Sequence, residues 1–274
     1  MSQSFFWIAF ALVVITPLHA ADTVQTTPPS EADITKFKLD GDPASERGAT
    51  WTYESTDTGV DYKLTGTLFK PPGTGPFPAV LLSHGMGNYA QNYGAKLSTE
   101  MVKWGLVCIA PNYTYGARAR AAGSPGVVDI QNTNIPDNLK RAHKCFDLLA
   151  SLGYVDMKRV AVHGHSKGAF LTVAIAGAYP DEIRAASHTA GGEQSYNKDL
   201  SLKITTPYSI HHGDADTSVR LSADVRFEAT LTQNKVEHEM RVYPGMTHLQ
   251  IPANPVVLER IRAWYMKHGV LAAN

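Results

Sequence analysis

The sequence lacks an excess of charge of either sign. Its 274 residues include 25 lysines and arginines and 25 aspartates and glutamates, so the formal net charge at pH 7 is zero, and there is no run of basic residues. Binding to nucleic-acid phosphates or to an anionic membrane surface relies on such basic clusters. We therefore expect neither nucleic acid nor an anionic membrane as a partner.

Near its start the sequence lacks an apolar run long enough to span a bilayer. Residues 5–15 are apolar and are followed by Ala20, a small residue that suits cleavage, whereas a membrane-spanning helix needs about 20 apolar residues. The pattern predicts a signal peptide over residues 1–20 and a secreted or periplasmic protein with no stable membrane span after cleavage. The alternative is an uncleaved anchor, because no lysine or arginine precedes the core and Leu18 is large for its position.

Cysteine is scarce: Cys108 and Cys145 are the two residues of this type. In an oxidising compartment they can form a disulfide, since the strand and helix predicted for them should pack together. We favour buried free thiols, because cysteine is commonly a core residue.

Familiar metal-ligand spacing is also missing: His211 and His212 should point to opposite faces of a strand. We expect no metal and no cofactor.

Residues 164–168 read Gly-His-Ser-Lys-Gly and form the most informative segment of the chain. Residues 159–163 before it predict a short buried strand, and the apolar residues 169–178 after it predict a helix. A serine flanked by glycines between a strand and a helix is typical of a nucleophile on a sharp turn, which leaves its hydroxyl exposed. The segment therefore indicates Ser166 as a nucleophile.

Candidate partners for Ser166 follow later in the chain. A predicted strand over residues 207–211 leads to Asp214 and Asp216, and another over residues 237–243 leads to His248. A serine hydroxyl becomes a nucleophile when an imidazole accepts its proton and a carboxylate holds that imidazole in the required tautomer. The order serine, acid, histidine predicts a catalytic triad.

Strand and helix patterns alternate from residue 51 onward. An antiparallel pair is predicted over residues 51–55 and 62–70, a further strand over 106–110, and helices over 97–104, 137–152 and 255–268. This alternation predicts an α/β fold, with a mostly parallel central sheet and helices on both faces. Residues 21–50 show neither the helical nor the strand period of apolar residues, so we expect a polar N-terminal arm before a single catalytic domain over residues 51–274.

With these features the chain resembles the dienelactone hydrolase-like α/β-hydrolases over about residues 51–270. The resemblance is carried by residues 64–71 and 79–85, by the serine turn, and by Gly-x-x-Asp and Gly-x-x-His segments that end at Asp216 and His248. It implies the α/β-hydrolase fold and selects Asp216 over Asp214 as the acid. Dienelactone hydrolases proper use a cysteine nucleophile, so Ser166 implies a carboxylesterase-like serine hydrolase instead.

An oxyanion hole is expected from two backbone amides. The first belongs to Lys167, directly after the serine. The resemblance places the second at Met86, in the loop of residues 84–88, with Gly85 or Gly87 as alternatives.

Substrate contacts are expected in an open cleft. About sixteen residues separate the predicted strands that end near 190 and begin at 207, too few for a helical cap domain. The loop of residues 112–136 should leave the carboxyl end of a strand, where ligands bind in open α/β sheets. Its aromatic and basic side chains can hold an acyl group or a carboxylate, or else pack locally: Tyr113, Tyr115, Arg118 and Arg120, with Tyr89 nearby.

These observations predict an exported serine hydrolase that cleaves carboxylic esters through an acyl-enzyme. Its partner would be a small-molecule ester or the accessible end of a polymer. The alternatives are a serine peptidase of prolyl-oligopeptidase type, although no propeller domain precedes this core, and a fold-mate that binds without catalysing. The sequence specifies neither the ester nor the acyl length nor the oligomeric state.

Overall fold

A nine-stranded sheet lies at the centre of the protein, for which a computed structural model describes residues 36–55, 62–115 and 135–272. The strands, in chain order, are β1 (Phe37–Asp40), β2 (Ala49–Ser55), β3 (Tyr62–Phe69), β4 (Phe77–Ser83), β5 (Val107–Pro111), β6 (Val155–His165), β7 (Ala185–Thr189), β8 (Tyr208–Gly213) and β9 (His238–Tyr243).

Helices connect most of the later strands. They are α1 (Ala95–Met101), α2 (Ile135–Ser151), α3 (Lys167–Ala178), α4 (Lys198–Ser201), α5 (Ser222–Gln233) and α6 (Pro255–Lys267). A single π-helical turn, Ala90–Gly94, precedes α1, and short 3-10 turns follow at Val102–Trp104 and Pro180–Glu182.

The strand order across the sheet is β1-β2-β3-β5-β4-β6-β7-β8-β9. Strands β1, β2, β3 and β5 pair antiparallel in succession, whereas β5, β4, β6, β7, β8 and β9 pair parallel. From β4 the chain passes to β5 on one side and later returns to β6 on the other. The carboxyl ends of β4 and β6 therefore meet at a topological switch point, where open α/β sheets bind ligands.

Two buried clusters cover the two faces of the sheet. Alternate residues of β4 divide between them: Leu81 packs into one cluster and Leu82 into the other. The first cluster includes side chains of α2, α3 and α5, and the second includes those of α1 and α6. Strands buried on both faces read as continuous apolar runs, which is why the sequence predicts this mostly parallel α/β fold correctly.

One expectation about the N-terminal segment is wrong. Residues 21–50 were expected to form an arm outside the fold, yet β1 pairs with β2 in register Phe37 with Tyr53, and β2 itself begins at Ala49. A four-residue edge strand is too short to show a period of two, and its pairing partner supplies the backbone hydrogen bonds. Residues 1–35, which include the predicted signal peptide, lie outside the described residues.

The connection from β7 to β8 contains one short helix, α4, so a large cap is not present between residues 190 and 207. None of the helices in the described part of the chain is both long and apolar enough to cross a membrane.

The two cysteines are free and buried. Cys108 belongs to the cluster on one face of the sheet and Cys145 to the cluster on the opposite face. Because the sheet lies between them, a disulfide is excluded in this fold, and the expectation of buried thiols is confirmed.

Candidate active site

Ser166 occupies a strained turn between β6 and α3. Its backbone torsions are φ 57° and ψ −121°, in a region that L-residues rarely adopt and that costs about 1–3 kcal/mol. The flanking glycines make the turn possible, because a Cβ on Gly164 would collide with the backbone of Gly168, and one on Gly168 with the carbonyl of Ser83. The turn leaves Ser166 partly exposed at the switch point.

Asp216 and His248 form a hydrogen bond of 2.7 Å between Asp216 Oδ2 and His248 Nδ1. The other carboxylate oxygen accepts the backbone amides of Ser218, at 2.8 Å, and Val219, at 2.9 Å. Burial by itself raises the pKa of Asp216, but the Val219 amide, His248 and the Ser218 amide outweigh it and lower that pKa. Asp216 is therefore an anion that holds a proton on Nδ1 of His248.

His165 brings Ser166 and His248 to the same place. Its ring lies against that of His248, with 4.5 Å between centroids, and it directly precedes Ser166. Its Nδ1 bonds to the hydroxyl of Thr189 at 2.9 Å. The structure gives no hydrogen bond between the described side chains of Ser166 and His248; such bonds are often long in ligand-free sites and tighten when substrate binds.

The loop after β4 lies beside the serine. A Cβ on Gly85 would be 3.2 Å from Cβ of Ser166, which is tighter than most such contacts, so glycine favours this close approach of the backbone. The amide of Gly87 donates to the carbonyl of Tyr115 at 3.2 Å and is therefore not available as an oxyanion donor. Of the alternatives from sequence, Met86 and Gly85 remain.

His84 fixes the direction of the Met86 amide. Its Nε2 accepts the backbone amide of Tyr113 at 3.1 Å, so its proton is on Nδ1, which donates to the Gly85 carbonyl at 2.9 Å. In a trans peptide the carbonyl and the following N–H point in opposite directions. The Gly85 carbonyl therefore points to His84 and the Met86 N–H points away from it. Burial lowers the pKa of His84 to about 4, which keeps this tautomer neutral.

Lys167 begins α3, and the first four amides of a helix have no partner within the helix. The amide of Lys167 is thus a backbone donor next to Ser166 that is free within the helix, and its role as an oxyanion donor stays a prediction. The side chain of Lys167 points elsewhere: its Nζ lies 5.7 Å from the ring centre of Tyr196.

Asp214, the alternative acid, has a different contact. Its Oδ1 accepts the backbone amide of Gly245 at 2.7 Å. Asp214 therefore joins the loop after β8 to the loop that carries His248, and Asp216 is the carboxylate that contacts the imidazole.

Two of the tyrosines expected to bind substrate are core residues. Tyr113 is fully buried, with its hydroxyl 3.0 Å from that of Ser83, and Tyr115 is 5% exposed and stacks on Tyr113. Both rings pack against His84 instead of lining a cleft, because their burial removes more apolar surface from water. Tyr89 is partly buried beside the oxyanion loop. Arg118 and Arg120 lie outside the described residues.

Sequence reasoning missed a buried group beside the site. Asp224 on α5 accepts from Nε2 of His188 at 2.7 Å, through Oδ1, and contacts Nδ1 of His212 through Oδ2. No spacing in the sequence indicates that a helix carboxylate lies between histidines of two strands. No group of three or more histidines, cysteines and carboxylates in the described residues is placed to hold a metal ion.

A model of the dienelactone hydrolase family matches residues 64–250. Among curated proteins, none matches the sequence.

Solved structures with similar folds share low sequence identity with the chain. A protein of Klebsiella pneumoniae named as a dienelactone hydrolase is 18% identical, with a TM-score of 0.64 over 80% of this chain and 98% of that one. A cold-adapted esterase from an Arctic intertidal metagenomic library is 16% identical, with a TM-score of 0.63 over 80% and 94%. The acylaminoacyl peptidase of Pyrococcus horikoshii is 13% identical, with a TM-score of 0.62 over 84% of this chain and 49% of that one.

Proposed function

Because the chain belongs to the dienelactone hydrolase family, we propose that it is a serine hydrolase that cleaves carboxylic esters through an acyl-enzyme. The observation that carries this proposal is the 2.7 Å hydrogen bond between Asp216 and His248, made beside Ser166 in its strained turn. Family membership supports hydrolysis, and the serine in the nucleophile position supports an ester as substrate.

In the first half of the reaction, Ser166 Oγ attacks the ester carbonyl carbon and its proton passes to Nε2 of His248. Asp216 holds the proton on Nδ1, which leaves Nε2 free to accept and stabilises the imidazolium that forms. The amides of Met86 and Lys167 donate to the oxyanion of the tetrahedral intermediate. Its collapse breaks the bond to the alcohol, which leaves with the proton from His248.

In the second half, water attacks the acyl-enzyme and gives its proton to His248. The bond to Ser166 Oγ breaks, the carboxylic acid leaves, and His248 returns the proton to the serine. One water is consumed and the ester becomes an acid and an alcohol.

Exposed apolar side chains on the loops of the site support a substrate with an apolar part. Two large apolar side chains on the segments that carry the site are exposed: Met86 (53% exposed) and Leu249 (85%). Met86 carries a proposed oxyanion amide, and Leu249 follows His248. Two further proposals rest on the sequence alone. Arg118 and Arg120 would select esters that carry a carboxylate, and residues 1–20 would direct export.

The test compares the wild type with Ser166→Ala on p-nitrophenyl esters of increasing acyl length and on aminoacyl p-nitroanilides. We expect ester cleavage by the wild type and a loss of about 10⁴-fold or more in kcat for Ser166→Ala. Ser151→Ala, at the end of α2, is the matched control and should retain activity. Unchanged ester cleavage by Ser166→Ala would refute the assignment.

Labelling by a fluorophosphonate probe separates the alternatives. A reactive nucleophile should give a covalent adduct on the wild type and none on Ser166→Ala. Amide cleavage that exceeds ester cleavage would favour a peptidase, and an unlabelled wild type would favour a protein that binds without catalysing.

A further inference from the structure

His212 is buried next to the proposed acid, and both of its ring nitrogens face hydrogen-bond acceptors. Nδ1 contacts Oδ2 of Asp224, and Nε2 lies 3.1 Å from the carbonyl of Val219. A carbonyl only accepts, so Nε2 carries a proton. If Asp224 is ionised, Nδ1 carries one too, and the ring is an imidazolium.

Asp224 has the contacts of an ionised carboxylate. Besides His212, it faces Nε2 of His188 at 2.7 Å and the amide of Gly191 at 3.4 Å. Burial raises the pKa of Asp224, but His188 and His212 outweigh it and lower that pKa to about 2. Burial lowers the pKa of His212, whereas Asp224, the Val219 carbonyl and Asp216 raise it and prevail. These contacts fit a buried ion pair in which each charge is hydrogen-bonded.

His212 is also connected to the turn that holds Asp216. The carbonyl of Val219 accepts from His212, and the amide of the same residue donates to Asp216 Oδ1 at 2.9 Å. In addition, His212 Nε2 lies 3.6 Å from Asp216 Oδ2, the oxygen that bonds to His248. One side chain thus fixes the turn and places a positive charge behind the carboxylate.

We propose that His212, held as a cation by Asp224, is a positioning residue that fixes the Asp216 turn and tunes the basicity of His248. The role in rate rests on the proposed function, whereas the protonation state of His212 does not. A cation behind Asp216 weakens the stabilisation that Asp216 gives to the imidazolium that His248 would form during proposed catalysis, so its removal should change the pH profile.

Besides His188, which donates to Asp224, three ionisable groups near this cluster are neutral rings. Burial lowers the pKa of His165, which lies against His248, and of His211, on the strand of His212, to about 3. Burial raises the pKa of Tyr208, whose hydroxyl contacts His188. Asp224 from α5 and Asp216 from the loop after β8 are therefore the charges that face His212.

The kinetic test uses two substitutions that keep different halves of the ring. The amide nitrogen of asparagine can take the place of the imidazole Nδ1, and that of glutamine the place of Nε2. His212→Gln therefore keeps a donor for the Val219 carbonyl, whereas His212→Asn does not. We expect His212→Asn to lower kcat about tenfold to a hundredfold with little change in KM, and His212→Gln to recover most of it. His143→Gln, at a half-buried histidine of α2, is the control.

The pH profile separates positioning from general loss of structure. In both His212 variants the acid limb of kcat/KM should move to higher pH, by roughly half a unit or more, because a positive charge next to the Asp216–His248 pair is removed. Equal loss of kcat in both variants with an unmoved acid limb would overturn the proposal.

NMR of the full-length wild type, with ¹⁵N-labelled histidine, tests the charge without reference to activity. Of the 11 histidines, His212 should carry protons on both nitrogens at pH 8. A neutral His212 at that pH would overturn the proposal even in an active esterase. A doubly protonated His212 in a protein that cleaves no ester would instead refute the proposed function and leave the buried cation standing.

Discussion

The ring of His165 lies against the ring of His248, with 4.5 Å between their centroids. Burial, and then the neighbouring His248, lower the pKa of His165 to about 3. A neutral ring in this position supports the face of His248 without opposing the charge that His248 would gain during proposed catalysis. The residue before the proposed nucleophile therefore helps to place the proposed base.

The two aspartates of the loop after β8 should respond differently to substitution. Asp216→Asn should reduce kcat by about 10⁴-fold, because an amide does not hold the required tautomer of His248. Asp214→Asn should keep most activity, since its amide oxygen can still accept from Gly245. Steady-state kinetics on one ester, with melting temperatures as a fold control, check both; the reverse ranking would mean that the acid is Asp214.

His84 should matter for rate although it does not contact the proposed substrate. His84→Ala removes the donor that holds the Gly85 carbonyl, so the Met86 amide loses its fixed direction. We expect kcat to fall by about tenfold to a hundredfold, within the range for one weakened oxyanion donor, with KM little changed. His84→Asn restores a donor near Nδ1 and should recover part of the rate; if KM rises instead, the residue serves binding.

The protein should lose stability as the pH falls below 6.5. Burial lowers the pKa to about 4 for His84 and to about 3 for His163, His165 and His211. The unfolded chain then binds protons that the folded protein does not, so this stability is present above pH 6.5 and is lost as the pH falls toward 4. Each of these histidines lowers the free energy of unfolding by up to about 1.4 kcal/mol for every unit by which the pH falls.

Urea unfolding at pH 7.5, 6.5 and 5.5 measures this dependence. His163→Gln removes one such histidine. Unfolding of this variant should take up about one proton fewer, so its unfolding free energy should fall less steeply with falling pH, whatever its stability at pH 7.5. An unfolding free energy that stays constant from pH 7.5 to 5.5 would show that these histidines are not held neutral.

Both cysteines should remain reduced in the folded protein, even after air oxidation. Cys108 and Cys145 lie on opposite faces of the sheet and are fully buried. Ellman's reagent should therefore react slowly with the native protein and should titrate two thiols once it is denatured. Reducing agent should leave the melting temperature unchanged; a drop in that temperature would reveal a disulfide and contradict the fold.

The sequence by itself determined the parts that depend on local pattern. Buried strands leave apolar runs, as in β4 and β6, and a sharp turn leaves flanking glycines, as around Ser166. Loops that follow strands in a fixed order place Ser166, Asp216 and His248 in sequence. The sheet and the candidate triad follow from these, and the pairing of Asp216 with His248 agrees with the expectation.

Only the tertiary structure decided which side chains meet across the sheet. Tyr113 and Tyr115 were expected in the cleft and are buried, because their burial depends on His84, which follows β4. The edge strand β1 forms because β2 supplies its backbone hydrogen-bond partners. The contact of His188 and His212 with Asp224 joins two strands and a helix. Such contacts depend on packing between distant segments, and packing leaves no period in the sequence.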